Sequence, residues 1–126
     1  MISALGFNSN NIYRQQKNEI IDQRYKEIYA HEKAHKNAAG SLGGSIVIEK
    51  DTNGIPVGGH VDIKMPVLDK DNPERTIQHA DTVIKAAMAP NSPSSQDYKV
   101  ASEAEAIKNK AKNIKNQSGQ RLNLLA

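Results

Sequence analysis

The chain has no cysteine and no tryptophan, one phenylalanine and four tyrosines, so aromatics make up only 4% of its 126 residues. Without thiols it can form no disulfide and offers no thiolate to a metal, which leaves imidazole, carboxylate and water as available ligands. Hydrophobic residues at 37% and a mean hydropathy of -0.65 imply a small core and loose ends. A chain of this length fits one domain. No apolar run approaches the roughly 20 residues that span a bilayer. The segment Met1-Ile2-Ser3-Ala4-Leu5-Gly6-Phe7 has neither the basic start nor the apolar length of a secretory signal. These two absences predict a cytoplasmic protein without a membrane span.

Neither sign of charge is in large excess: 17 Lys and Arg face 14 acidic residues, for a net +3 with histidine neutral. The densest basic cluster, Lys108, Lys110, Lys112 and Lys115, falls on an expected helix and has no aromatic side chains interleaved for base stacking. It reads as a solvated face, and no nucleic-acid partner is expected.

What the chain does have is His31-Glu32-Lys33-Ala34-His35, a complete H-E-x-x-H that holds two of its four histidines. On a helix, residues four apart share a face, so both imidazoles can reach one metal ion while Glu32 projects toward a water bound to it. That is the working geometry of a zinc peptidase. Ile21, Tyr25, Ile28, Glu32 and His35 recur at alternating spacings of four and three, which predicts a helix with Glu32 and His35 on its apolar face. Burying a carboxylate and an imidazole is costly unless a metal or hydrogen bonds compensate them. The competing reading is a surface helix with two solvated histidines.

The elements follow from punctuation and period. A flexible start over residues 1–10 leads into a long polar helix over 11–38, which ends at the breaker cluster Gly40-Ser41-Leu42-Gly43-Gly44. A strand at 45–49, a turn at Asp51-Thr52-Asn53-Gly54 and a returning strand at 55–65 make a hairpin, with an irregular entry at Pro56 and Gly58-Gly59 that would re-aim His60. A second helix is predicted from Pro73 to about residue 89, stopped by Pro90. A serine-capped third helix spans about 96–116, with Val100, Ile107 and Ile114 seven apart on a narrow seam otherwise made of alanines. The fold class is α+β, a single domain over 11–116, with a mobile tail over 117–126 whose Leu122, Leu124 and Leu125 are free to dock.

Separated motifs then agree with one family. His31-Glu32-Lys33-Ala34-His35 with Ala38-Ala39-Gly40, Val57-Gly58-Gly59-His60-Val61-Asp62-Ile63, Ala86-Ala87-Met88-Ala89-Pro90, and Ser92-Pro93-Ser94-Ser95-Gln96-Asp97-Tyr98-Lys99-Val100-Ala101 occur in the order of the SprA-related family, which the chain resembles over most of residues 21–110. The resemblance implies a small zincin-like metallopeptidase that uses zinc and acts on a peptide or protein, without naming the substrate. Where the family pattern has glutamate after the two glycines this chain has His60, which makes His60 the expected third zinc ligand and His79 its rival. Ser41 stands where a metzincin would place its third histidine.

The mechanism implied assigns His31, His35 and His60 to zinc and Glu32 to general-base catalysis. His79, Tyr98 or Tyr29 would stabilise the oxyanion, and Asp62 or Asp81 would orient a ligand imidazole. The strand at 46–49 either holds an extended peptide at its edge or merely covers the helix. Two other classes stay open: a structural or sensing metal module, and a helical adaptor in which the pentapeptide is incidental.

Overall fold

The computed structural model describes residues 9–125, with side chains placed over 9–119. A long helix α1 (Ser9–Ala39) turns through a short 3-10 segment into an antiparallel hairpin of β1 (Gly43–Lys50) and β2 (Pro56–Ile63), followed by α2 (Pro73–Ala87) and α3 (Ser95–Leu125). This is the α+β order the sequence predicts. Of the expected flexible start, Ser9 and Asn10 are helical and the rest lies outside the described residues. The third helix continues to Leu125 rather than ending near residue 116, and the side chains of the three tail leucines lie outside those described. No helix among the described residues is long and apolar enough to cross a membrane.

The buried face of α1 carries Glu32, His35 and Ala39, with Ile28 half-buried in line above them, a spacing of four, three and four. Tyr25 departs from the predicted stripe: it is 42% exposed and stacks on Tyr29 at 5.9 Å. Gly40 ends the helix at a φ of +58°, a backbone conformation that a side chain disfavours. Just beyond it, the Lys36 ammonium donates to the Gly44 carbonyl at 2.6 Å and ties the helix end to the start of β1.

In the hairpin, Ile46 pairs with Val61, Val47 with His60, Ile48 with Gly59 and Glu49 with Gly58. Successive residues face opposite sides, so Gly59 and Val61 share one side and Gly58 and His60 the other. Gly59 lies directly on α1: a Cβ there would meet Ile28 Cγ2 at 2.7 Å and Glu32 Cγ at 3.1 Å. The predicted irregular entry is present, since Glu49 pairs with Gly58 and Lys50 with Pro56, leaving Val57 unpaired as a bulge.

Helix α2 opens on Pro73 behind Asn72, whose side chain accepts from the Arg75 N–H. It packs on α3 through small residues: Ala80, Val83 and Ala87 on one helix and Ala104 and Ala111 on the other are all essentially inaccessible. Val100, Ile107 and Ile114 flank those alanines half-buried, as the seven-residue seam predicts. A fully buried valine contributes about 1.5 kcal/mol and an alanine less. Stability here is therefore spread over close helix approach, with no large side chain dominating. Two lysines of the basic cluster reach across the seam, Lys108 to Asp81 at 2.6 Å and Lys115 to Glu74 at 2.5 Å.

Candidate metal centre

Helix α1 places His31 and His35 one turn apart, with their Nε2 atoms 3.2 Å from each other. The third member of the group is Asp97, at the start of α3. Its position is set locally: the Ser94 hydroxyl accepts from the Asp97 N–H at 3.1 Å and the Asp97 carboxylate accepts from the Ser94 N–H at 2.8 Å. This reciprocal pair is a capping box, which fixes the carboxylate at the helix N-terminus. From there Asp97 Oδ2 lies 3.1 Å from His31 Nε2, and Oδ1 lies 3.1 Å from His35 Nε2. Among the described residues, His31, His35 and Asp97 form a group that could hold a metal ion.

The hydrogen-bond chemistry of the group favours a cation at its centre. His35 Nδ1 is 2.8 Å from the Ala86 carbonyl, an acceptor, so Nδ1 carries the hydrogen and donates it. In the neutral ring Nε2 then presents a lone pair, and that lone pair faces a carboxylate oxygen and a second imidazole nitrogen. Such a convergence is repulsive without a proton or metal ion between the atoms. Donors about 2.0 Å from a tetrahedral metal are separated by about 3.3 Å; the two imidazole nitrogens are 3.2 Å apart, and each lies 3.1 Å from a different oxygen of the Asp97 carboxylate. Two imidazoles and a carboxylate are a donor set that could hold a metal ion.

Glu32 is only 6% exposed and lines the same cleft as the three donors. Burial raises its pKa above the ordinary carboxylate value, while the His35 and His31 imidazoles pull it down and Asp97 pushes it up. Asp97 moves the other way. Burial opposes its ionised form, but the Ser94 N–H, His35, the Ser94 hydroxyl and His31 outweigh that and leave it below the usual range.

The cleft has a volume of about 420 Å³. Gly59, His60, Val61, Asp62 and Ile63 all border it, although alternate residues of a strand face opposite ways. The cleft therefore runs along the edge of β2, and the two-stranded sheet pairs only the other edge of that strand.

The sequence located His31, Glu32 and His35, and these three are brought together. His60 is not in the metal-binding group. It alternates with Gly59 and Val61, and its Nδ1 pairs with Glu49 Oε1 at 3.0 Å on the exposed side of the hairpin, at the rim of the cleft. The bulge at Val57 precedes regular pairing at His60 and so does not turn it inward. His79 donates from Nε2 to the Lys64 carbonyl at 2.8 Å and lines a separate hollow beside the loop at Asp69. Tyr98 is 55% exposed and does not border the cleft. The partner that orients His35 is the Ala86 carbonyl rather than Asp62 or Asp81, and Asp81 is held by Lys108. Asp97 is the member of the group that the sequence did not single out. Its signal was present in Ser94-Ser95-Gln96-Asp97, an N-terminal box with a carboxylate three residues after the capping serine.

No curated protein and no solved structure matches this chain. The sequence profile of one family does match, over residues 8–123, a span that takes in α1, the hairpin, α2, Asp97 and nearly all of α3. The chain belongs to the SprA-related family.

Proposed function

We propose that the chain is a zinc-dependent metallopeptidase in which His31, His35 and Asp97 hold the ion and Glu32 is the general base. The observation that carries the reading is the convergence of two imidazole nitrogens and the two oxygens of one carboxylate, in contacts of 3.1 to 3.2 Å, beside a buried glutamate in an open cleft. When bound, zinc polarises the scissile carbonyl and lowers the pKa of the attacking water toward about 7.

The protein's own groups have separable tasks. His35 is held in its ligating tautomer by the Ala86 carbonyl, and Asp97 is held in place by Ser94. The Glu32 carboxylate takes the proton of the attacking water and returns it to the leaving amine nitrogen. The unpaired edge of β2 supplies backbone groups to which an extended substrate can add as a strand. That assigns substrate alignment to β2 rather than to the strand at 46–49, for which the sequence leaves both peptide binding and simple cover of the helix open.

The test is elemental analysis of purified chain at known concentration, for wild type, His35→Ala and Glu32→Gln, followed by mass-spectrometric screening of a peptide library. One zinc per chain is expected in wild type and Glu32→Gln, with loss in His35→Ala. Cleavage should fall at least about 100-fold in Glu32→Gln. A wild-type chain that takes up no zinc on reconstitution, or a Glu32→Gln variant that cleaves as well as wild type, overturns the reading.

A further inference from the structure

The chain carries a net positive charge, with 17 Lys and Arg against 14 acidic residues. Its cleft has the opposite character. Four carboxylates border it, Glu32, Asp62, Asp97 and Glu103, and no lysine or arginine does. Two of the four are committed to the centre described above. The other two come from different elements, Asp62 from β2 and Glu103 from α3. Both are exposed, and among the described residues neither they nor Glu32 form an ion pair.

The lack of pairing is informative because cations are available nearby in sequence. Lys64 lies two residues from Asp62, just beyond the end of β2, and forms no ion pair with it. Lys99 lies one helical turn before Glu103, a spacing that permits pairing, and no such pair forms. Elsewhere on α3 two lysines do pair, Lys108 with Asp81 and Lys115 with Glu74. Carboxylates left open on two walls of one cleft, beside a buried carboxylate at its base, create a negative potential that a bound cation would relieve.

Resting on the peptidase reading for the identity of the occupant, we propose that the cleft selects positively charged peptide segments, with Asp62 and Glu103 as the specificity-determining contacts. The cationic nitrogen comes from a lysine or arginine side chain near the scissile bond, or from a free amino terminus. Acidic segments are excluded by repulsion from the same two carboxylates. Exposed ion pairs are individually weak, so the selectivity comes from two contacts acting together and declines with added salt.

The experiment measures binding of blocked six-residue alanine peptides with one lysine, one arginine, one glutamate or no charge, and of an uncharged peptide with a free amino terminus. The protein is zinc-treated Glu32→Gln chain, read by isothermal titration at low and high salt, with cleavage of the same peptides by wild type in parallel. The lysine or arginine peptide should bind about tenfold tighter than the glutamate peptide at low salt. The free-amine peptide reports whether a terminus can take the same place. In Asp62→Lys with Glu103→Lys the order should invert, while Asp62→Asn with Glu103→Gln should level it and leave zinc content unchanged.

Equal binding of the lysine, arginine and glutamate peptides overturns the proposal, as does binding of none of them. So does loss of zinc in the Asp62→Asn, Glu103→Gln chain, which would make the two carboxylates part of the metal centre. Charge-selective binding without cleavage by wild type would uphold the cleft's preference and count against the peptidase reading. Cleavage without charge preference would do the reverse.

Discussion

The Nδ1 of His35 lies 2.8 Å from the carbonyl oxygen of Ala86, a link between α1 and the last turn of α2 across 51 residues of sequence. That carbonyl, near the end of its helix, also accepts from the Ala89 N–H at 3.3 Å, and a carbonyl oxygen has lone pairs enough for His35 as well. The bond fixes which imidazole nitrogen carries the hydrogen and aims the other at His31 and Asp97. The expected outcome in long-range ¹H–¹⁵N spectra of metal-free chain at neutral pH is the Nδ1–H tautomer for His35. Finding the Nε2–H tautomer would show that the ring does not present its lone pair to the group.

The choice between Asp97 and His60 as third ligand separates sharply in competition with a chelator. Asp97→Ala should weaken zinc binding by at least about 10-fold, since it removes a donor rather than a supporting contact. His60→Ala should leave affinity and stoichiometry unchanged, because that imidazole is engaged by Glu49 outside the group. The reverse pattern would restore His60 to the metal.

Gly59 is the point of closest approach between β2 and α1. A Cβ at this position would stand 2.7 Å from Ile28 Cγ2 and 2.9 Å from the Val47 carbonyl oxygen. The second contact is backbone and cannot swing away. Gly59→Ala should therefore destabilise the chain by about 1–3 kcal/mol in urea denaturation, in the range of overpacked cores. It should also lower any activity that depends on Glu32, whose Cγ is the third atom a Cβ would crowd. Unchanged stability would mean that the helix and hairpin separate more readily than their contact implies.

Acid stability of the metal-free chain should carry the mark of Asp97. Folding lowers its pKa, because the Ser94 N–H and the neighbouring imidazoles outweigh burial. The stabilisation is complete above the ordinary carboxylate range near about pH 4 and is lost as pH falls through the lower folded value. In Asp97→Asn, which keeps an acceptor for the Ser94 N–H, the drop in melting temperature between about pH 5 and pH 2.5 should be smaller than in wild type. Circular dichroism melts across that interval measure it, and parallel curves for the two chains would remove Asp97 from the acid response.

Helix period, glycine and proline placement and capping serines determined the element order from the sequence alone, because each acts within a few residues of its own position. The H-E-x-x-H motif was legible for the same reason: its spacing of four is one helical turn, so His31 and His35 had to share a face once α1 formed. The alanine seam of α3 was likewise a local periodicity, and Ala104 and Ala111 are buried on it.

The third member of the group was decided by tertiary structure. Strand alternation gave His60 two faces to choose between, and only the packing of Gly59 against Ile28 and Glu32 turned that face toward α1 and His60 away from it. Asp97 is 66 residues from His31, and nothing local distinguishes a capping carboxylate from one that also meets an imidazole. The docking of α2 against α1 and α3 brings the ends of three helices together. Local rules place side chains on a face, but which faces meet depends on how the whole chain buries its few apolar residues.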